Sequence, residues 1–442
     1  MMICLERYLM SFYSVNFRGI LCREAVFTYK LSIINSFRGD YMKLRAKDIF
    51  IPGAFPKYTY ISRQSTEYDF TYEFRLTQSL STVGFLTSIV GPSKTGKTVL
   101  CEKVIGQDKI VDFTGNDFKE TEDFWATIAR KIGLPLESDH TEHRTIEGHG
   151  IAGIKEGIVS SVTESYRSNK DKVIQYFIEK DLVLVLDDFH YASPSMQFEI
   201  AYQLKDAIRK YFRTVVISLP HRSDDAIRKN SDLSGRLNLI NIEPWNKGEL
   251  REIAVTGFNQ LGMNIDPAFA DDMAQESLSS PQLMQSICLN LSLLLDIDNN
   301  ASFDKLDYPM LKKAYKMTSL NLLSYKEVAR KLKNGPNTRG QKRKTYPVID
   351  EQVDIYELLL KAIAVDPPKV SLSVDEIKRR MDVLLGDAAD KPDRLKIKNT
   401  IDQVQSIMQS SEPMYQVFEY KDDEVYILEP LFLFYLRWGN LG

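Results

Sequence analysis

Gly91-Pro92-Ser93-Lys94-Thr95-Gly96-Lys97-Thr98 fits the phosphate-loop pattern G-x-x-x-x-G-K-[ST]. An apolar, partly β-branched run from Phe85 to Val90 precedes it, and a helix-like stretch from Val99 to Ile105 follows. Strand, tight loop and helix are the context in which this pattern has a mechanism. Glycine lets the backbone approach phosphate oxygens, and the loop amides and helix N-terminus favour anions. The residues from Gly91 to Val99 are therefore read as a nucleotide cradle rather than an ordinary tight turn. Lys97 is placed to reach the β- and γ-phosphates, and Thr98 to offer its hydroxyl to Mg²⁺.

A second stretch supports the first. Leu182-Val183-Leu184-Val185-Leu186 is uninterrupted and apolar, as expected of a central parallel strand covered on both faces. It ends in Asp187-Asp188-Phe189-His190. A carboxylate at the end of a buried strand is costly unless a cation or hydrogen bonds hold it. Beside a phosphate loop that cation is Mg²⁺. Asp187 is accordingly the candidate metal ligand, directly or through water. Asp188 is the candidate to orient or deprotonate an attacking water.

Lys109 to Phe113, Thr214 to Leu219 and Leu237 to Ile242 read as further strands. Phe118 to Ile132, Ser161 to Glu179 and Gln197 to Tyr211 read as helices between them. Such alternation predicts a parallel α/β sheet. Ligands of open α/β sheets bind beyond the strand C-termini, so Arg222, just past Leu219, is a candidate γ-phosphate sensor. Tyr58-Thr59-Tyr60-Ile61-Ser62-Arg63, upstream of the loop, is placed either to touch the base or to serve as local packing. The polar stretch from Glu137 to about Gly157 contains His140, His143 and His149. No metal-ligand spacing recurs there, and an exposed insertion is expected.

From Pro244 the pattern is helical: Lys247 to Leu261, Asp266 to Glu276, Ser280 to Leu295 and Asp307 to Lys331. The expected division is an uncertain N-terminal extension (1–41), a P-loop α/β core (42–243), a helical lid (244–330), a basic linker (331–345) and a winged-helix-like unit (346–442). The last unit rests on a helix from Val353 to Val365, a capping box at Ser373 and Glu376, a helix from Leu395 to Met408, and two strand-like runs flanking Lys421 to Glu424. This unit holds 11 basic and 18 acidic residues, a balance of −7. Lys391, Arg394, Lys396 and Lys398 cluster at the start of its third helix.

The bulk composition is that of a globular protein: 442 residues, 43% hydrophobic, 26% charged, net charge −3. No global basic field is present to hold nucleic acid, so such a role needs a local patch. Cys4, Cys22, Cys101 and Cys288 lack paired spacing, as in a cytoplasmic chain with reduced thiols. The charges within the apolar first 41 residues leave no membrane span. Met42-Lys43-Leu44 reads as a natural start.

Together these residues resemble the AAA+-related P-loop ATPases, within them the STAND and origin-recognition-like group. GPSKTGKT and LVLVLDDFH look like that group's Walker A and Walker B. The Asp-Asp ending is closer to STAND proteins than the Asp-Glu of many AAA+ enzymes. Tyr60-Ile61-Ser62-Arg63 stands where the group carries a G-R-E segment, placing Arg63 near the nucleotide. Ser279-Ser280-Pro281 is similar to a G-x-P lid motif that packs proline near adenine, with Ser279 replacing its glycine. Gly235-Arg236-Leu237 looks like the region bearing an intersubunit arginine, and Glu429 to Trp438 like the end of a winged-helix domain. The resemblance implies a parallel-sheet core, lid and winged helix that bind ATP and Mg²⁺ and act as an ATP-driven switch, with ATP-dependent homo-oligomers and a protein partner. It also implies membership of a prokaryotic defence, mobile-element or regulatory system. A DNA-associated ATPase, using the wing and basic linker, is the rival reading. A small-molecule kinase lacks an evident acceptor site. A GTPase lacks N-K-x-D, its nearest match being Asn169-Lys170-Asp171-Lys172.

Overall fold

The computed structural model describes residues 44–119, 122–135, 169–219, 235–300, 302–338, 340, 342–388, 390–410 and 416–439. The segments read as an N-terminal extension and as a histidine-bearing insertion lie outside these residues, as does Arg222.

Five parallel strands form the central sheet: β1 (Leu86–Val90), β2 (Ile110–Thr114), β3 (Val183–Asp187), β4 (Arg213–Ser218) and β5 (Leu237–Asn241), in the spatial order β2-β3-β4-β1-β5. The pleat sends alternate residues to opposite faces. Leu184 and Leu186 of β3 and Val216 of β4 join a core containing Phe124, Trp125, Phe177 and Leu204. Those four belong to α4 (Phe124–Lys131), α5 (169–179) and α6 (Pro194–Ile208). Val183 and Val185 of β3 and Val215 and Ile217 of β4 join the opposite core, with Tyr72 and Leu76 of α2 (Tyr72–Ser81) and Leu100 and Cys101 of α3 (Lys97–Ile105). Double coverage explains why these strands are apolar without alternation.

A short α1 (Ala46–Ile49) precedes the core but packs on the helices that follow β5, with Phe50 edge-on to Phe258 at 5.0 Å. The segment expected to form a lid contains α7 (Lys247–Gln260), α8 (Pro267–Glu276), α9 (Pro281–Leu294) and α10 (Tyr308–Leu320). Their starts are set by side-chain caps. Asn246, Asp266, Ser280 and Asp307 each accept a first-turn amide, satisfying donors that a helix cannot satisfy internally.

Several element boundaries differ from the sequence reading. The expected helix from Phe118 begins only at Phe124, where Asp123 caps the Ala126 amide at 2.6 Å. The stretch from Asp307 to Lys331 is broken between α10 and α11 (Lys326–Asn334). The basic linker leads into an antiparallel hairpin, β6 (Thr345–Val348) with β7 (Glu351–Asp354), which sequence reasoning missed.

After that hairpin come α12 (Ile355–Ala364), β8 (Ser371–Ser373), α13 (Val374–Leu385), α14 (Arg394–Gln409), β9 (Phe418–Lys421), β10 (Glu424–Ile427) and α15 (Pro430–Trp438). Ser373 caps α13 by accepting from the Glu376 amide at 3.2 Å. Glu376 turns instead to Lys369 and Arg380. Strand β8 pairs with the β9–β10 hairpin, giving the order β8-β10-β9. Helix α15 returns to the lid, where Trp438 lies 4.8 Å from the ring of Tyr315. Among the described residues no helix is long and apolar enough to cross a membrane.

Candidate nucleotide-binding site

The phosphate loop joins β1 to α3 at the C-terminal edge of the sheet. Gly91 is required by a close approach: a Cβ there would lie 2.7 Å from the Ile242 carbonyl oxygen and 2.9 Å from the Ile242 Cβ. Gly96 sits at φ 87°, in the left-handed region that glycine enters without steric cost, and α3 starts directly after it. Lys94 also has positive φ, 61°.

Lys97 is 8% exposed. Its Nζ donates to the carbonyls of Gly91 (2.9 Å) and Pro92 (2.7 Å). Burial pushes its ammonium down to about 8, opposed by the carboxylates of Asp187 and Asp188. The Thr95 hydroxyl donates to the Pro92 carbonyl at 2.9 Å. The carbonyls of Gly91 and Pro92 are thus turned onto the protein's own donors rather than towards an anion.

Strand β3 brings the second motif to the loop, although β4 separates it from β1 in the sheet. Thr98 Oγ1 donates to Asp187 Oδ2 at 2.6 Å. Two hard oxygen donors at one point, beside a buried lysine, are a donor set suited to Mg²⁺ held together with substrate phosphates. Asp188 adopts the left-handed conformation at φ 46°, its amide donating to Asp187 Oδ1 at 2.8 Å. Crowding by the protein, then the charge of Asp187, push the Asp188 carboxyl above its usual range, while Lys97 and Lys94 act the other way. The two acids thus have unequal surroundings. Asp187 is engaged by a hydroxyl and an amide, and Asp188 stands at the cavity wall.

A cavity of about 450 Å³ opens from the loop. Its walls come from the segment around Ile51 to Tyr60, from Ser93 to Leu100, from Asp187 and Asp188, and from Trp245, Ile253, Pro281 and Gln285. Its size suits a drug-sized or nucleotide-sized ligand. The structure brings Lys97, Thr98, Asp187, Asp188, Arg63 and Pro281 to one cavity. Pro281 opens α9, and the buried Gln285 one turn on accepts from the Ile51 amide at 3.2 Å and donates to Thr59 Oγ1 at 2.6 Å. The lid and the chain before the core are tied together at that wall.

Arg63 lines the cavity, but its guanidinium is engaged by protein. It donates to the carbonyls of Glu243 (3.1 Å) and Pro244 (3.0 Å) and lies 3.0 Å from the Glu249 carboxylate. Arg236 stands before β5, with its carbonyl accepting from the Leu86 amide at 2.8 Å. Sequence reasoning missed Trp245 altogether. Its indole N–H donates to the Thr95 carbonyl at 2.8 Å, and only a contact spanning 150 residues gives it meaning.

Residues 84–224 match a family model described as an AAA domain. This stretch is therefore similar in sequence to AAA domains. The match spans both motifs and the strands from β1 to β4. No curated protein matches the chain. Among solved structures, the Walker-type ATPase PABY2304 of Pyrococcus abyssi is similar at 12% identity and a TM-score of 0.45, covering 82% of this chain and 94% of that one. The Aeropyrum pernix ORC2 protein in ADPNP–ADP complexes is similar at 12% identity and a TM-score of 0.41, covering 84% and 92%. The Thermotoga maritima RuvB Holliday junction branch migration motor is similar at 12% identity and a TM-score of 0.36, covering 83% and 95%.

Proposed function

We propose that the protein binds and hydrolyses ATP as a regulatory switch, whose lid and C-terminal unit respond to the nucleotide and whose output is contact with another protein. The observation that carries the reading is the meeting of Thr98, Asp187 and buried Lys97 at the base of the cavity. In this reading the segment Gly91 to Val99 cradles the phosphates through the backbone amides that follow Pro92, and Lys97 holds the β- and γ-oxygens. Thr98 and Asp187 hold Mg²⁺, which when bound offsets phosphate charge. Asp188 takes the proton of the attacking water. Its raised carboxyl supports that role, because a base works best with a pKa nearer the working pH. Pro281 and the segment before Arg63 pack the base. Arg222 remains proposed as a γ-phosphate sensor.

The element order α12, β8, α13, α14 and the β9–β10 hairpin supports a winged-helix reading of the C-terminal unit and, with it, the proposed division into core, lid, linker and wing. ATP-dependent self-association is part of the same proposal. The test is ATP turnover and mass with and without ATP: no turnover above background and no nucleotide-dependent change of mass would end the switch reading.

The DNA-associated alternative relies on the cluster at the start of α14. Arg394 pairs with Asp375 and Asp423, both at 2.8 Å, and Lys398 pairs with Asp423 at 2.5 Å. Those two cations are neutralised within the unit, which favours a protein contact over a phosphate backbone.

A further inference from the structure

The connection from β5 to α7 runs against the phosphate loop, with Ile242 at Gly91 and Trp245 at Thr95. Trp245 is 9% exposed and lines the cavity. Its indole N–H reaches the Thr95 carbonyl at 2.8 Å. A peptide unit is planar and trans, so the Thr95 carbonyl and the Gly96 amide belong to one rigid plate and point in opposite directions. Fixing the first aims the second.

The indole is itself held. The Arg63 guanidinium lies 4.6 Å from its ring and 5.5 Å from the Tyr72 ring. The same guanidinium grips the carbonyls of Glu243 and Pro244 and faces the carboxylate of Glu249 in the first turn of α7. Glu249 in turn accepts from the Asn246 amide at 2.9 Å, closing the cap of that helix. A continuous set of contacts therefore runs from the loop backbone, through Trp245 and Arg63, to the start of the lid.

We propose that Trp245 is a positioning residue for the phosphate loop: its indole N–H holds the Thr95 carbonyl so that the Gly96 amide faces the phosphates, and Arg63 and Glu249 hold the indole. This rests on the nucleotide reading of the cavity and adds a residue that neither motif contains. It also makes the loop and the start of α7 one mechanical unit. A lid movement that shifts Glu249 changes the direction of a phosphate-binding amide without touching the ligand.

The experiment is titration calorimetry of Trp245→Phe and wild type with ADP and with adenosine. Phenylalanine keeps an aromatic body and removes the N–H. The expected result is a loss of about tenfold in ADP affinity, the upper end for one net hydrogen bond, with adenosine affinity unchanged. A contact that merely packed the base would weaken both ligands equally, and that outcome overturns the proposal. So does unchanged ADP affinity in a folded Trp245→Phe protein. If Trp245→Phe does not fold, Glu249→Gln decides: it keeps the helix cap and loosens Arg63, so a smaller loss confined to ADP is expected, and none overturns the proposal. Wild-type protein that binds ADP no better than adenosine would instead overturn the nucleotide reading itself.

Discussion

Arg437 near the end of α15 and Glu276 at the end of α8 form a buried two-pronged ion pair, with Nε to Oε2 at 3.0 Å and Nη2 to Oε1 at 2.5 Å. Trp438 adds its indole N–H to Glu276 Oε2 at 2.7 Å, and Arg437 also meets Asp366 and the Ala364 carbonyl. The two charged side chains are only 6% and 9% exposed. This contact bolts the C-terminal unit to the lid. Removing one partner leaves an uncompensated buried charge, so Arg437→Met is expected to cost about 3–5 kcal/mol in urea unfolding. Replacing Glu276 and Arg437 together by Met should recover much of that loss.

At the phosphate loop, Lys97→Ala is expected to abolish most nucleotide affinity, while Asp188→Asn leaves binding intact. General bases contribute about a hundredfold or more, so Asp188→Asn should slow ATP turnover by at least that factor. Equal turnover by Asp188→Asn and wild type would remove Asp188 from the base role. Thr98→Ala should raise the Mg²⁺ concentration needed for binding, read by titrating the metal at fixed ATP.

Glu429 gives a pH-dependent prediction. Burial raises its carboxyl above the usual value of 4.5, with Asp188 pushing the same way and Lys94, the Leu431 amide and the Tyr325 hydroxyl pushing back. Its Oε1 is buried without a hydrogen-bond partner. An acid whose folded pKa is raised stabilises the fold below its unfolded pKa, and that contribution is lost as pH rises through the folded value. Glu429→Gln should therefore melt above wild type at pH 7. The gap should close as pH falls through the raised folded value to below the usual 4.5. A constant gap across this range would contradict the assignment.

The C-terminal unit makes a salt prediction. Asp423 is held well below the usual carboxylate range by Lys398 and Arg394, with the Tyr420 hydroxyl adding to it. Duplex DNA is therefore expected to bind weakly, with a shallow dependence of affinity on salt. A steep salt slope that charge reversal at Lys391 and Lys396 abolishes would favour the DNA-associated alternative.

The parts of the fold that were legible in the sequence carry their signal locally. Strand β1, the loop and α3 are contiguous, and β3 announces itself by five apolar residues and two acids. Thr98 and Asp187 likewise stand out by residue type and position, and the structure brings them to 2.6 Å of one another. Hairpin β6–β7 was not legible, because Thr345-Tyr346-Pro347-Val348 is short, carries a proline and follows a lysine-rich run. The break between α10 and α11 lacks glycine or proline, so periodicity runs through it. Arg63 was legible as near the cavity but not as a clamp on Glu243 and Pro244, which lie 180 residues or more downstream. Trp245 had no local signal at all.

The pairing of Glu276 with Arg437 spans 161 residues of chain. During folding the lid helices can assemble from neighbours, yet one of their buried carboxylates has no counter-charge until α15 arrives. Closing so long a loop is entropically slow. Fragments cut before residue 430 should therefore yield a lid with an exposed seam around Tyr315 and Glu276, prone to self-association.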